Sequence, residues 1–149
     1  MAPDPADAAS TPGIKELFEA SSPLARMLVA TGPHADPIGA ARGLVARLGE
    51  EEKIATLNAH PRIGERSDRM SVLSRSEQEG FDVDSELGRL SEEYERRFGF
   101  RFVVFVNRRP PSEIAAEMRE RMTRGRDEEM EHGLRAVVDI AEDRVRRAT

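Results

Sequence analysis

Apolar residues recur along most of this chain at spacings of three and four, the period of helices that bury one face. Ile14, Leu17 and Phe18 begin the pattern. Ser22 followed by Pro23 supplies a cap and a first-turn proline for a second helix through Met27 and Val29. Asp36 and Pro37 repeat that signal, and Ile38, Ala41, Leu44, Val45 and Leu48 form one stripe that Gly49 stops. Ile54 and Leu57 continue from Glu50 until Pro61, which disfavours helical geometry at the residue before it. His60 is therefore expected at a helix terminus.

Ser74 and Glu77 have capping-box spacing, and after a break near Gly80 a longer helix is predicted from about Asp84 through Leu87, Leu90 and Tyr94 to Phe98, closed by Gly99. Ser112 is expected to cap a helix carrying Ile114, Met118 and Met122 and ended by Gly125. The last helix has the longest apolar row, Met130, Leu134, Val137, Val138, Ala141 and Val145. Arg144 lies on or beside that row, so the sequence demands a buried anionic partner for it.

One run escapes the helical period. Residues 100–106, FRFVVFV, have the β-branched and aromatic content of a buried strand, yet no second strand exists to pair with it. Its amides must find other partners, a ligand among them, so the expected architecture is a single-domain all-α multi-helix bundle with a short extended buried segment near residues 100–106. Residues 1–12, rich in Ala, Pro, Asp and Ser, are expected to form a disordered tail, leaving 13–149 as the helical domain.

Composition narrows the function. With 23 Lys and Arg against 28 Asp and Glu, the net charge of −5 gives no overall basic footprint for nucleic acid. Cysteine is absent, which removes thiolate nucleophiles, thiolate metal sites and disulfides. No apolar run approaches the roughly 20 residues of a membrane span and the amino terminus lacks the regions of a secretory signal, so the expected location is the cytoplasm. Four arginines, Arg62, Arg66, Arg69 and Arg75, face only Glu65 and Asp68 between residues 62 and 75. That is a local positive stretch in an acidic chain. The three histidines, His34, His60 and His132, match no metal-ligand spacing, and no phosphate-binding glycine loop is present. His34 and His132 are assigned to the surface.

Taken singly, each candidate has an ordinary structural explanation. A histidine before proline commonly meets helix-terminal carbonyls, Ser74 with Glu77 reads as a capping box, and Arg144 as a core-edge stem whose head reaches water. Together and in order, AHPRIGE (59–65), SRSEQ (74–78), FGFRFVVFV (98–106) and VVDIAEDRV (137–145) resemble the 2-oxo-4-hydroxy-4-carboxy-5-ureidoimidazoline (OHCU) decarboxylase family of urate degradation. The likeness extends over about residues 14–146.

The resemblance implies an all-α, usually homodimeric carboxy-lyase that uses no cofactor and converts a small anionic ureide to (S)-allantoin in purine breakdown. It assigns His60 as proton donor, Glu77 as the carboxylate beside it, and Arg144 as a pairing group for Glu77 or the substrate. Pro61, Ser74 and Gln78 match the family's binding positions, and the backbone amides of Phe102, Val103, Val104, Phe105 and Val106 match the segment that holds the ureide. Two positions depart from the family pattern: Leu24 stands where Trp usually follows Ser-Pro, and Arg101 replaces the proline of FGFPF. They bear on pocket shape and exact substrate. The competing readings are a catalytically silent helical ureide- or purine-binding module and a related lyase or hydrolase acting on another small anionic imide or ureide.

Overall fold

The computed structural model describes residues 13–62 and 86–148. The tail of residues 1–12, the Ser74–Glu77 capping box and the break near Gly80 lie outside them.

Seven helices occur among the described residues: α1 (Ile14–Leu17), α2 (Pro23–Thr31), α3 (Pro37–Val45), α4 (Glu50–Asn58), α5 (Glu86–Phe98), α6 (Pro111–Arg121) and α7 (Arg126–Ala148). The capping signals read from sequence operate at α2 and α3. Ser22 Oγ accepts from the Ala25 amide and donates to the Phe18 carbonyl, and Asp36 accepts from the Gly39 amide. Gly99 takes a φ of 82°, the left-handed conformation that ends α5 without a side-chain clash.

Three expectations need correction. Ser112 does not cap α6: the helix starts at Pro111 with Pro110 at the cap position and no side-chain cap bond, because the proline ring already fixes the entry angle. Gly49 does not stop α3, which ends at Val45; its amide instead binds Glu52 Oε1 at the start of α4. Gly125 likewise lies beyond the end of α6 at Arg121, and its carbonyl accepts from the Glu129 amide as α7 begins.

The long helix α7 is central, packing against α1, α3 and α4, while α2 meets α1, α3 and α4, and α5 pairs with α6. Gly133 marks one close approach: a Cβ there would lie 2.8 Å from Leu57 Cδ2, so any larger residue requires the buried Leu57 side chain to shift between α7 and α4. Leu24, Leu28, Leu57, Val137 and Ala141 are fully buried in this region.

Residues 100–106 form no strand or helix, and Phe100, Phe102, Val103, Val104 and Val106 are buried. Their carbonyls are held by arginines instead of by a sheet. Arg121 Nη1 donates to the Val103 carbonyl at 3.0 Å, Arg109 Nη2 to Phe105 at 2.6 Å, and Arg109 Nε to Val106 at 3.1 Å. Arg121 is anchored in turn by buried Glu129, whose Oε1 accepts from Arg121 Nε at 2.8 Å and from the Tyr94 hydroxyl at 2.7 Å. Its guanidinium also lies over the Phe102 ring at 4.3 Å. Burial and the hydrogen bond to Glu129 push the Tyr94 phenol up, so it stays a donor.

Candidate active site

His60 follows directly on α4. Its amide still bonds to the Leu57 carbonyl at 3.2 Å, but Pro61 has no amide to continue the ladder, so the chain leaves the helix with the imidazole turned inward. The residue is 5% exposed, and its Nε2 has no hydrogen-bond partner among the described residues. A buried, unpartnered ring nitrogen has lost water without replacement, a cost tolerated where a ligand is to fill the position. Pro61, beside it, is partly exposed.

Arg144, the cation predicted on the apolar row of α7, is 2% exposed. Its Nη1 donates to the carbonyls of Glu16 and Leu17 at 3.0 and 2.9 Å, and its Nη2 reaches Glu19 Oε1 at 3.3 Å. These groups satisfy the demand for buried acceptors. Glu19 is a residue the sequence reasoning missed. It sits between α1 and α2 with a φ of 58°, uncommon for a residue with a Cβ, and that turn brings its carboxylate to Arg144 across 125 positions of sequence. Only the demand for a buried acid signalled it.

Both charges act on His60. Burial is the strongest influence and lowers the imidazole from 6.5 to about 4, with Glu19 opposing and Arg144 reinforcing. The carboxylate of Glu19 favours the charged ring, but desolvation outweighs it, and at neutral pH the ring carries no charge. An arriving anion would reverse that balance.

The stretch 102–106 begins beside His60. Arg101 Nη1 donates to the His60 carbonyl at 2.9 Å and to the Asn58 carbonyl at 2.8 Å, and the Arg101 amide donates to Asn58 Oδ1 at 2.9 Å. Among the described residues, the amides of 102–106 donate no hydrogen bond, while the carbonyls of Val103, Phe105 and Val106 are occupied. Ser74, Glu77 and Gln78 lie outside the described residues. Thus His60, Arg144 and the start of the extended segment are gathered, with Glu19, Asn58 and Arg101 added.

A separate cavity of about 300 Å³ is lined by Val104, Phe105, Arg109, Arg121, His132 and Arg135 among others, and includes neither His60 nor Arg144. Here Glu117 is held below the usual carboxylate range: burial alone would raise it, but hydrogen bonds and charge from Arg109 and Arg121 outweigh that effect. The other two histidines, assigned to the surface, are each partly exposed. Arg124 Nη1 donates to Nδ1 of half-buried His132 at 2.9 Å, and burial, with Arg121, lowers the proton affinity of that ring. His34 is half-buried too, its Nε2 3.0 Å from both the Leu28 carbonyl and Thr31 Oγ1.

Fold and site together define an all-α protein with a buried imidazole set beside an arginine–carboxylate pair and a run of open amides, a site suited to a small anion that must receive a proton. Residues 5–146 match the OHCU decarboxylase family, and the chain belongs to that family. It is 36% identical over 108 residues to the 2-oxo-4-hydroxy-4-carboxy-5-ureidoimidazoline decarboxylase of Haloferax volcanii, an alignment covering 68% of this chain and 64% of that relative. The fold is similar to a crystal structure of OHCU decarboxylase in the presence of (S)-allantoin (TM-score 0.71, 23% identity, 91% of this chain and 96% of that one). It is also similar to the crystal structure of an (S)-allantoin synthase (TM-score 0.61, 20% identity), covering 96% of this chain and 53% of the other. No described helix is long and apolar enough to cross a membrane.

Proposed function

We propose that this chain is a cofactor-independent carboxy-lyase that converts OHCU to (S)-allantoin, with His60 as the proton donor. The observation that carries the reading is the buried His60 imidazole, its Nε2 without a hydrogen-bond partner among the described residues, beside the Arg144–Glu19 pair. In the reaction the bond to the carboxyl carbon breaks, carbon dioxide leaves, and the electron pair passes into the unsaturated ring. The substrate thereby serves as its own electron sink. What remains for the protein is to place the ring and protonate the carbon from one face. A substrate carboxylate entering the dry site raises the proton affinity of His60, so binding charges the ring that then gives up its proton.

In this scheme Glu77 is the second carboxylate orienting the imidazole, Arg144 pairs with the substrate anion or with Glu77, and Pro61, Ser74 and Gln78 line the pocket. The open amides of Phe102, Val103, Val104, Phe105 and Val106 take the ureide oxygens. A cytoplasmic homodimer acting on a small ureide, without nucleic acid or membrane, completes the proposal.

The test adds the protein to freshly generated urate oxidation intermediate and follows circular dichroism. Accelerated formation of one enantiomer of allantoin is expected, and H60N abolishes it while the protein keeps its helical spectrum. Racemic product at the uncatalysed rate refutes the proposal, and tight ureide binding without turnover would mark a silent binding module instead.

A further inference from the structure

We infer that Arg101 is a positioning residue for His60, a clamp that fixes the helix end from which the imidazole projects; this rests on the role of His60 proposed above. The carbonyls of Asn58 and His60 lie at the carboxyl end of α4, where a helix leaves acceptors unpaired and carries partial negative charge. Pro61 removes the amide that would follow. Arg101 supplies what is missing: one guanidinium nitrogen donates to both carbonyls, at 2.8 and 2.9 Å, and its own amide holds Asn58 Oδ1 at 2.9 Å.

A proline at this position, as in the pattern the chain departs from, has no amide and no side-chain donor and could make none of these bonds. The substitution therefore changes how His60 is held. It also couples two halves of the site. The bonds run from Arg101, near the start of the extended segment, to the end of α4 and the residues just after it, 41 and 43 positions apart, so they tie the amides that follow Arg101 to the stretch that carries the imidazole. The bonds go to backbone and amide groups and do not engage the ring nitrogen Nε2, which makes Arg101 a support for the ring and not a chemical participant.

The test compares wild type, R101A and R101K by steady-state kinetics, thermal unfolding and NMR titration of the His60 ring, assigned with H60N. Loss of the clamp lets the ring shift by a fraction of an ångström or more, and misplacement of that order costs roughly 10- to 100-fold in kcat with KM changed little. R101K, which keeps a cation and a donor near the carbonyls, should recover most of the loss. The ring of R101A should titrate nearer 6.5 than the wild-type value of about 4, because loosening admits water. Unchanged kcat in R101A overturns the inference. So does a fall in melting temperature accompanied by an unchanged His60 titration, since that is the signature of support for the fold alone. Should wild type fail to turn over OHCU, the functional reading falls by itself, and the His60 titration still decides whether Arg101 positions the ring.

Discussion

Acidifying the protein from pH 7 to pH 4 should expose how His60 is buried. In the unfolded chain the imidazole takes up a proton near 6.5, whereas in the fold it does so only near 4. Above 6.5 the ring is neutral in both states and imposes no penalty. Between 6.5 and 4 the unfolded chain binds a proton that the folded chain refuses, so stability falls as the pH falls, and below 4 the loss is complete. The difference between 6.5 and about 4, at about 1.36 kcal/mol for each tenfold change in proton affinity, amounts to about 3 kcal/mol. That is a large part of the roughly 5–15 kcal/mol by which a domain is stable. Urea denaturation followed by far-ultraviolet circular dichroism, at several pH values from 7.5 to 4, reads it out. Carboxylates titrate in the same window, so the quantity that matters is wild type minus H60Q, in which their contributions cancel. The two profiles should diverge by about 3 kcal/mol as the pH drops, wild type losing more. Parallel profiles would show that the ring is no more reluctant to charge in the fold than in water, and the account of a desolvated imidazole would fail.

Three other substitutions probe the frame around the site. S22A removes the cap of α2 and strands the Phe18 carbonyl, and should cost about 1–2 kcal/mol in urea denaturation. E129Q removes the fully buried charge that pairs with Arg121 and anchors the extended segment; calorimetry should show a loss of about 3 kcal/mol, because the buried arginine keeps only the longer, partly exposed contact to Glu117. G133V drives two methyl groups toward Leu57, already only 2.8 Å from an added Cβ, and should destabilise by about 2 kcal/mol while lowering turnover, since the same contact seats the helix that carries His60.

The helices were legible because their information is local. Ser22-Pro23 and Asp36-Pro37 start α2 and α3 through side-chain bonds spanning three residues, and Gly99 closes α5 through its own backbone freedom. Where the reading erred, two local signals competed: Pro111 set the start of α6 before Ser112 could act, and Gly49 served the helix after it instead of the one before. The placement of His60 at a helix end and the burial of Arg144 were legible for the same reason. Their partners were not. Glu19 meets Arg144 across 125 residues and Arg101 meets the His60 carbonyl across 41, and no periodicity carries such distances. Nor does periodicity report desolvation, which sets the charge state of His60: its burial is a property of the packed bundle, not of AHPRIGE.

The stretch 100–106 shows how a fold can leave half of a backbone available for chemistry. In a sheet, each buried strand residue pairs its donor and its acceptor with a neighbouring strand, and nothing is left for a ligand. Here the acceptors at Val103, Phe105 and Val106 are taken by Arg121 and Arg109, side chains that donate and cannot accept. Such a partner satisfies carbonyls without competing for amides. Arg121 is itself fixed by Glu129 and Arg109 by Glu117, so the carbonyls are held by anchored side chains while, among the described residues, the amides donate no bond. Under the proposed function these amides meet a ureide oxygen, and donors already in place lower the ordering cost of that binding. The sequence signature of that arrangement is the one that first looked anomalous: a strand-like run with no strand to join, in a chain rich in arginine.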